Sequence, residues 1–212
     1  LTDRLEGLGT TLIGTADWDS SSLRFTVTTS RLAEAFPLFA EVLRVPTFPA
    51  ADVERRRDER LAEISQELAE PRGLADVRFA GFLYAREARF ARALDGTQRS
   101  VRALGADTVR AFHAAHYAPA RTTLCFVGDI TPERAGELAE REFGEWRVPA
   151  SPGSAERPSA APAARRTVLV DKKGAPQTEL RVGHAGVPRT HPDHLAIVVM
   201  NAILGGLFSS RI

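Results

Sequence analysis

Four of the five histidines fall in two His-x-x-His pairs, His113/His116 and His191/His194. Residues three apart share a helix face, so each pair could offer two imidazoles to one metal ion. A zinc site needs at least a third ligand, and neither pair has one fixed by its local sequence. Asp193, between the second pair, suits the first turn of a helix, where a carboxylate complements the dipole. Both pairs therefore read as structural. The single cysteine, Cys125, lies in an apolar run, where it reads as inert core. The chain shows no Ser-His-Asp motif, no phosphate-binding glycine loop and no alternating aromatic and basic stripe. Gly205-Gly206 follows an apolar helical pattern and reads as a helix stop.

The elements that would position these residues are legible in outline. Residues 104–131 read as a helix, a break and a strand. Asp107 or Thr108 can cap the helix, Val109 and Phe112 suit its core face, and Tyr117-Ala118-Pro119 ends it. Residues 122–127 are β-branched or apolar, and Gly128-Asp129 closes them with a turn. Alternation groups Thr123, Cys125 and Val127, and that face is expected to be buried.

Upstream, residues 1–8 read as a helix tail, and residues 10–15 and 23–29 as two antiparallel strands around Asp17-Trp18-Asp19-Ser20. Ser30 can cap a helix striped by Leu32, Phe36, Phe39, Val42 and Leu43, kinked at Pro37. A long helix spans about residues 50–70, and Pro71-Arg72-Gly73 breaks it. Residues 74–91 read as helix again and residues 94–102 as loop. Thr131 and Pro132 open an amphipathic helix to about Glu145. Residues 150–165 form a Pro, Ala and Ser linker, residues 166–171 and 177–184 a further strand pair, and residues 192–204 a helix.

Composition narrows the classes. A chain of 212 residues makes one large domain or two small ones, and 43% hydrophobic residues can build a core. A net charge of +1 gives no reason to expect nucleic acid or an anionic membrane surface as partner. No apolar run reaches the ~20 residues of a membrane span. One cysteine allows no internal disulfide and leaves the compartment open, cytoplasmic or periplasmic. Arginine far outnumbers lysine, as in a GC-rich bacterial genome. The chain opens mid-pattern at Leu1, so a leader could have been removed.

Read in order, the short motifs form a larger pattern: Pro46-x-Phe48-Pro49, Asp95-Gly96-Thr97, Tyr117-x-Pro119, Val127-Gly128-Asp129, and Phe143-Gly144-x-Trp146. It continues through Gly174-Ala175-Pro176-Gln177, His191-Pro192-Asp193, Leu204-Gly205-Gly206 and Ser209-Ser210-Arg211. This resembles the pitrilysin/insulinase family of zinc metallopeptidases, the inverted zincins. The resemblance implies an α+β fold, a mainly antiparallel sheet with helices packed on one face. That is the architecture of a metallopeptidase half, as in mitochondrial processing peptidases. Residues 1–149 would be a first subdomain incomplete at its N-terminus, 150–165 the linker, and 166–212 the start of a similar second subdomain. The family pattern runs on beyond Arg211, so residues 166–212 are expected to be stabilised by something outside this sequence.

The family's catalytic signature, His-x-x-Glu-His, is absent, and by resemblance it would lie upstream of Leu1. Glu63 alone matches a family zinc ligand, the distal glutamate. Catalytic members carry another glutamate seven residues earlier, where this chain has Arg56, whose charge would oppose a cation. Where many members write His-Pro-Tyr, this chain has Ala88-Arg89-Phe90. Glu63 then reads as part of a solvated face with Arg60 and Glu67. No catalytic residue, metal ligand or cofactor is expected in this chain, although catalytic members hold zinc. The resemblance favours a zinc-less half or fragment that shares a peptide substrate with a partner half, as a homo- or heterodimer. The alternatives are part of a catalytic half with its motif upstream of Leu1, and a structural or assembly subunit.

Overall fold

Two helices carry the centre of the aromatic core, and side chains from residues 12–25 and 124–130 pack against them. The computed structural model describes residues 1–86, 88–148 and 166–206. Its helices are α1 (Thr2–Gly7), α2 (Leu32–Arg44), α3 (Ala50–Ala69), α4 (Pro71–Leu83), α5 (Gln98–Arg102), α6 (Ala106–His116), α7 (Pro132–Phe143) and α8 (His194–Asn201). Phe36 and Phe39 of α2 and Leu138 of α7 form the buried centre. Leu12, Leu23, Phe25, Leu124, Phe126 and Phe143 pack around it. Phe36 stacks on Phe39 at 5.8 Å and meets Phe126 at 5.4 Å, so α2 and residue 126 share one aromatic cluster.

Strands β1 (Ile13–Ala16) and β2 (Ser21–Arg24) pair antiparallel, from Ile13 opposite Arg24 to Ala16 opposite Ser21. The turn between them is made by Asp17. Its Oδ1 accepts the backbone N–H groups of Asp19 and Ser20, each at 2.7 Å, and its own N–H donates to the Ser20 carbonyl. Those N–H groups, Asp19 first, hold the Asp17 carboxyl below the usual aspartate range.

The sheet is smaller than the sequence predicts. Strands expected at 10–15 and 23–29 pair only over 13–16 and 21–24. Residues 122–127, 166–171 and 177–184 lie in no hydrogen-bonded strand. Alternation in 122–127 is present with the opposite face inward. Leu124 and Phe126 pack on the core, while Thr123, Cys125 and Val127 face out, Val127 at 93% exposure. The expectation of a buried Cys125 is therefore corrected. Both faces alternate equally well, and the bulkier Leu and Phe win the space beside α2 because they remove more apolar area from water.

Helix boundaries move for local reasons. A single extended residue, Glu70 (φ −81°, ψ 132°), separates α3 from α4, and Pro71 sits at the first position of α4. So α4 starts at Pro71 rather than 74 and ends at Leu83 rather than 91. Gly73 permits this tight corner, since a Cβ there would lie 2.4 Å from the Glu67 carbonyl oxygen. The expected loop at 94–102 contains α5, nucleated by a reciprocal cap between Thr97 and Ser100. Helix α6 starts from Gly105 without a side-chain cap, and α2 starts from Arg31 rather than Ser30. Pro37 lies inside an unbroken α2, and Thr131 caps α7 through the Arg134 N–H as expected. Phe112, expected in the core, is 58% exposed. The expected linker at 150–165 and the Ser209-Ser210-Arg211 motif lie outside the described residues. The apolar stripe of α8 is exposed at Leu195, Val198 and Val199, and Ile203 in the turn after it is exposed too.

Two outcomes follow. Leu138→Ala opens a cavity at the helix seam and costs about 2–5 kcal/mol, read as a lower urea midpoint. A loss under about 1 kcal/mol would show that α7 does not close the core. Cys125 reacts with a thiol reagent in native buffer within minutes, at about the rate of the unfolded chain. A strongly protected thiol would return that face to the interior.

Candidate functional site

The outer face of α3 is a ladder of paired charges. Arg55 and Arg56 both reach Glu59, at 2.8 and 2.9 Å. Arg60 reaches Glu63 at 2.9 Å and Asp95 at 3.2 Å. The spacing explains the pairing, because residues three or four apart face each other on a helix. Glu63 is thus a largely exposed carboxylate held by a guanidinium from its own helix. Arg56, two turns earlier, also lies on this solvated side.

The four paired histidines do not converge. His113 Nε2 lies 2.8 Å from the Leu43 carbonyl, and its ring stacks on Tyr117 at 4.7 Å. Leu43 lies in the last turn of α2, where carbonyls lack helical partners, so His113 works as a cap. Its neighbour His116 meets the exposed Phe112 ring at 4.4 Å, tilted by 37°. His191 Nδ1 accepts the backbone N–H of Asp193 at 3.2 Å and so stays within its own turn.

Zinc is the ion that the family resemblance implies, and the residues present do not fit it. Among the described residues, no three His, Cys, Asp or Glu side chains come together around a common point. Glu63, the one matching position, has an arginine where further ligands would be needed.

What the fold does bring together is a groove of about 650 Å³ between the C-terminal half of α3, the start of α4 and residues 176–179. Glu63, Glu67, Glu70, Asp76 and Glu179 line it, against Arg72 as the one basic lining residue. Arg181 braces one wall, with Nε 2.6 Å from Asp76 Oδ1 and a terminal nitrogen 2.9 Å from Glu179 Oε2. That hydrogen bond from Arg181 holds the Asp76 carboxyl below the usual aspartate range, and Asp76 in turn raises the guanidinium further. Asp76 therefore stays ionised and paired across neutral pH. Its contribution is complete above the unfolded value and fades only as pH falls through the lower folded one. Sequence reading missed this site because Asp76 and Arg181 stand 105 residues apart, with no local spacing to flag them.

The groove is an electrostatic surface built from α3, α4 and residues 176–179. A family model described as "Peptidase M16 inactive domain" matches residues 103–212, just over half of the chain. An uncharacterized zinc protease of Streptomyces coelicolor is 28% identical over 185 residues, covering 84% of this chain and 39% of the relative. One from Mycobacterium leprae is 27% identical over 184 residues, covering 86% and 41%. The chain thus spans about two fifths of the length of these relatives. Among solved structures, the peptidase M16 inactive domain from Pseudomonas fluorescens superposes with a TM-score of 0.76 at 25% identity, over 99% of this chain and 50% of that one. The family model over more than half of the chain, with the fold match beside it, shows that the chain belongs to the family described as the peptidase M16 inactive domain.

Proposed function

We propose that this chain is a non-catalytic part of an M16-type peptidase, which binds and encloses peptide while a metal-bearing half does the chemistry. The observation that carries this reading is the state of Glu63. The one residue matching a family zinc ligand is tied to Arg60, with Arg56 on the same helix, in a chain that matches the inactive domain. Hydrolysis by a zinc peptidase needs a metal-activated water, and the described residues supply no ligand set to hold the metal. The groove beside Glu63 supplies binding surface instead. Three of its five carboxylates are already matched by Arg60 or Arg181, and Glu67 and Glu70 beside them add the negative charge that suits a peptide with basic side chains.

A second reading, part of a catalytic half whose zinc motif lies elsewhere in a longer protein, draws support from the relatives. They are named zinc proteases and are about two and a half times as long as the stretch that matches.

The purified chain, dialysed against metal-free buffer, is expected to hold far less than one zinc by emission spectroscopy. It is also expected to leave a flexible peptide of roughly 20–30 residues uncut. Stoichiometric zinc lost in Glu63→Gln, or cleavage stopped by a chelator, would overturn the non-catalytic reading.

A further inference from the structure

Residues 166–184 lie against the α3–α4 corner with little apolar burial. Val168, Leu169, Leu180 and Val182 are all more than 60% exposed. The segment is held by cations. The Arg166 guanidinium donates to the Phe82 carbonyl and sits 4.5 Å over the Phe82 ring. Lys172 Nζ donates to the Leu68 carbonyl at 3.4 Å. Leu68 and Phe82 lie in the last turns of α3 and α4, where carbonyls are unpaired and the helix dipole is negative. Arg181 completes the set by bridging Asp76 of α4 to Glu179 of its own segment. Gly183 lets the segment lie close, because a Cβ there would come within 3.1 Å of the Phe79 ring.

We propose that Arg166, Lys172 and Arg181 form an electrostatic latch that holds residues 166–184 on the α3–α4 corner, with Arg181 as its release point. Arg181 is the natural pin because it alone joins two carboxylates, one on each side of the contact. Its side chain is 26% exposed and that of Asp76, its partner across the contact, is 57% exposed, so salt weakens the bridge. Because Asp76 and Glu179 also line the groove, release of Arg181 frees one groove wall. The latch is thus a means of opening and closing that surface. It stands independently of whether a peptide occupies the groove.

The chain carries its own probe. Lys172 and Lys173 are its only lysines, so a lysine-specific endoprotease cuts within this segment and nowhere else. Lys173 is exposed in the adjoining turn, so the assay is run in a Lys173→Arg background; with Lys172 then the sole lysine and engaged on Leu68, cutting tracks the fraction of time the segment is released. Arg181→Gln is expected to raise the cleavage rate about fivefold, with helical circular dichroism unchanged. Asp76→Asn is expected to do the same, and the double variant to cut no faster than either single one. Raising salt from about 0.05 to about 0.5 M should speed cleavage of the wild type more than that of Arg181→Gln, in which only the Arg166 and Lys172 ties remain to be screened. If Arg181→Gln loses helix, Asp76→Asn and the wild-type salt response decide the matter. Cleavage of folded variants at the wild-type rate, or equal acceleration by salt with and without Arg181, would overturn the latch.

Discussion

Helix C-termini set the terms on which this chain folds together. Each α-helix ends in carbonyl oxygens that its own backbone does not pair. Many proteins solve this locally, with a glycine in the left-handed conformation just past the helix end. Helices α2, α3, α4 and α7 have no such glycine. Their last turns are met instead by side chains from far away. His113 meets Leu43, Lys172 meets Leu68, Arg166 meets Phe82, and Arg44 meets Glu142. The partners are separated by 70 to 104 residues. Each cap is therefore also a tertiary tie. The tie from His113 joins α6 to α2, and Arg44 joins α2 to α7 across the Phe36–Leu138 core. The ties from Lys172 and Arg166 attach the segment after residue 165 to α3 and α4.

This use of side chains bears on function. Histidines that could ligate a metal are spent on caps and stacks, as at His113, or turned into their own loop, as at His191. The carboxylates of α3 are matched with arginines one turn away. Such a surface presents paired charge on a helix face. It differs from a catalytic zinc site in the feature that matters most: no group of ligands converges with an open coordination position among the described residues.

Much of this was legible from the residues in order. The amphipathic stripes placed α2, α3, α6 and α7, and the Thr131-Pro132 start of α7 is where local chemistry puts it. The motif order from Pro46 to Gly206 pointed to the family that residues 103–212 match. The misses share a cause. Whether Cys125 or Phe126 faces inward depends on which side α2 covers, and alternation alone cannot say. Phe112 fits a helical stripe, but its ring contact is His116 of the same helix, and it stays 58% exposed. The groove and the Asp76–Arg181–Glu179 bridge rest on pairs too distant in sequence for any window to join. Glu70 shows the reverse case: the proline rule located the break between α3 and α4, and one residue sufficed to make it.

The central claim is that this chain offers peptide-binding surface without needing a metal. The most direct measurement is fluorescence anisotropy of a labelled basic peptide titrated with the chain in excess chelator. The account predicts saturable binding that survives chelation and weakens at least about tenfold when Glu67 and Glu70 are both changed to lysine, through reversed groove charge. Binding that requires added zinc, or that is indifferent to Glu67→Lys and Glu70→Lys, would contradict it.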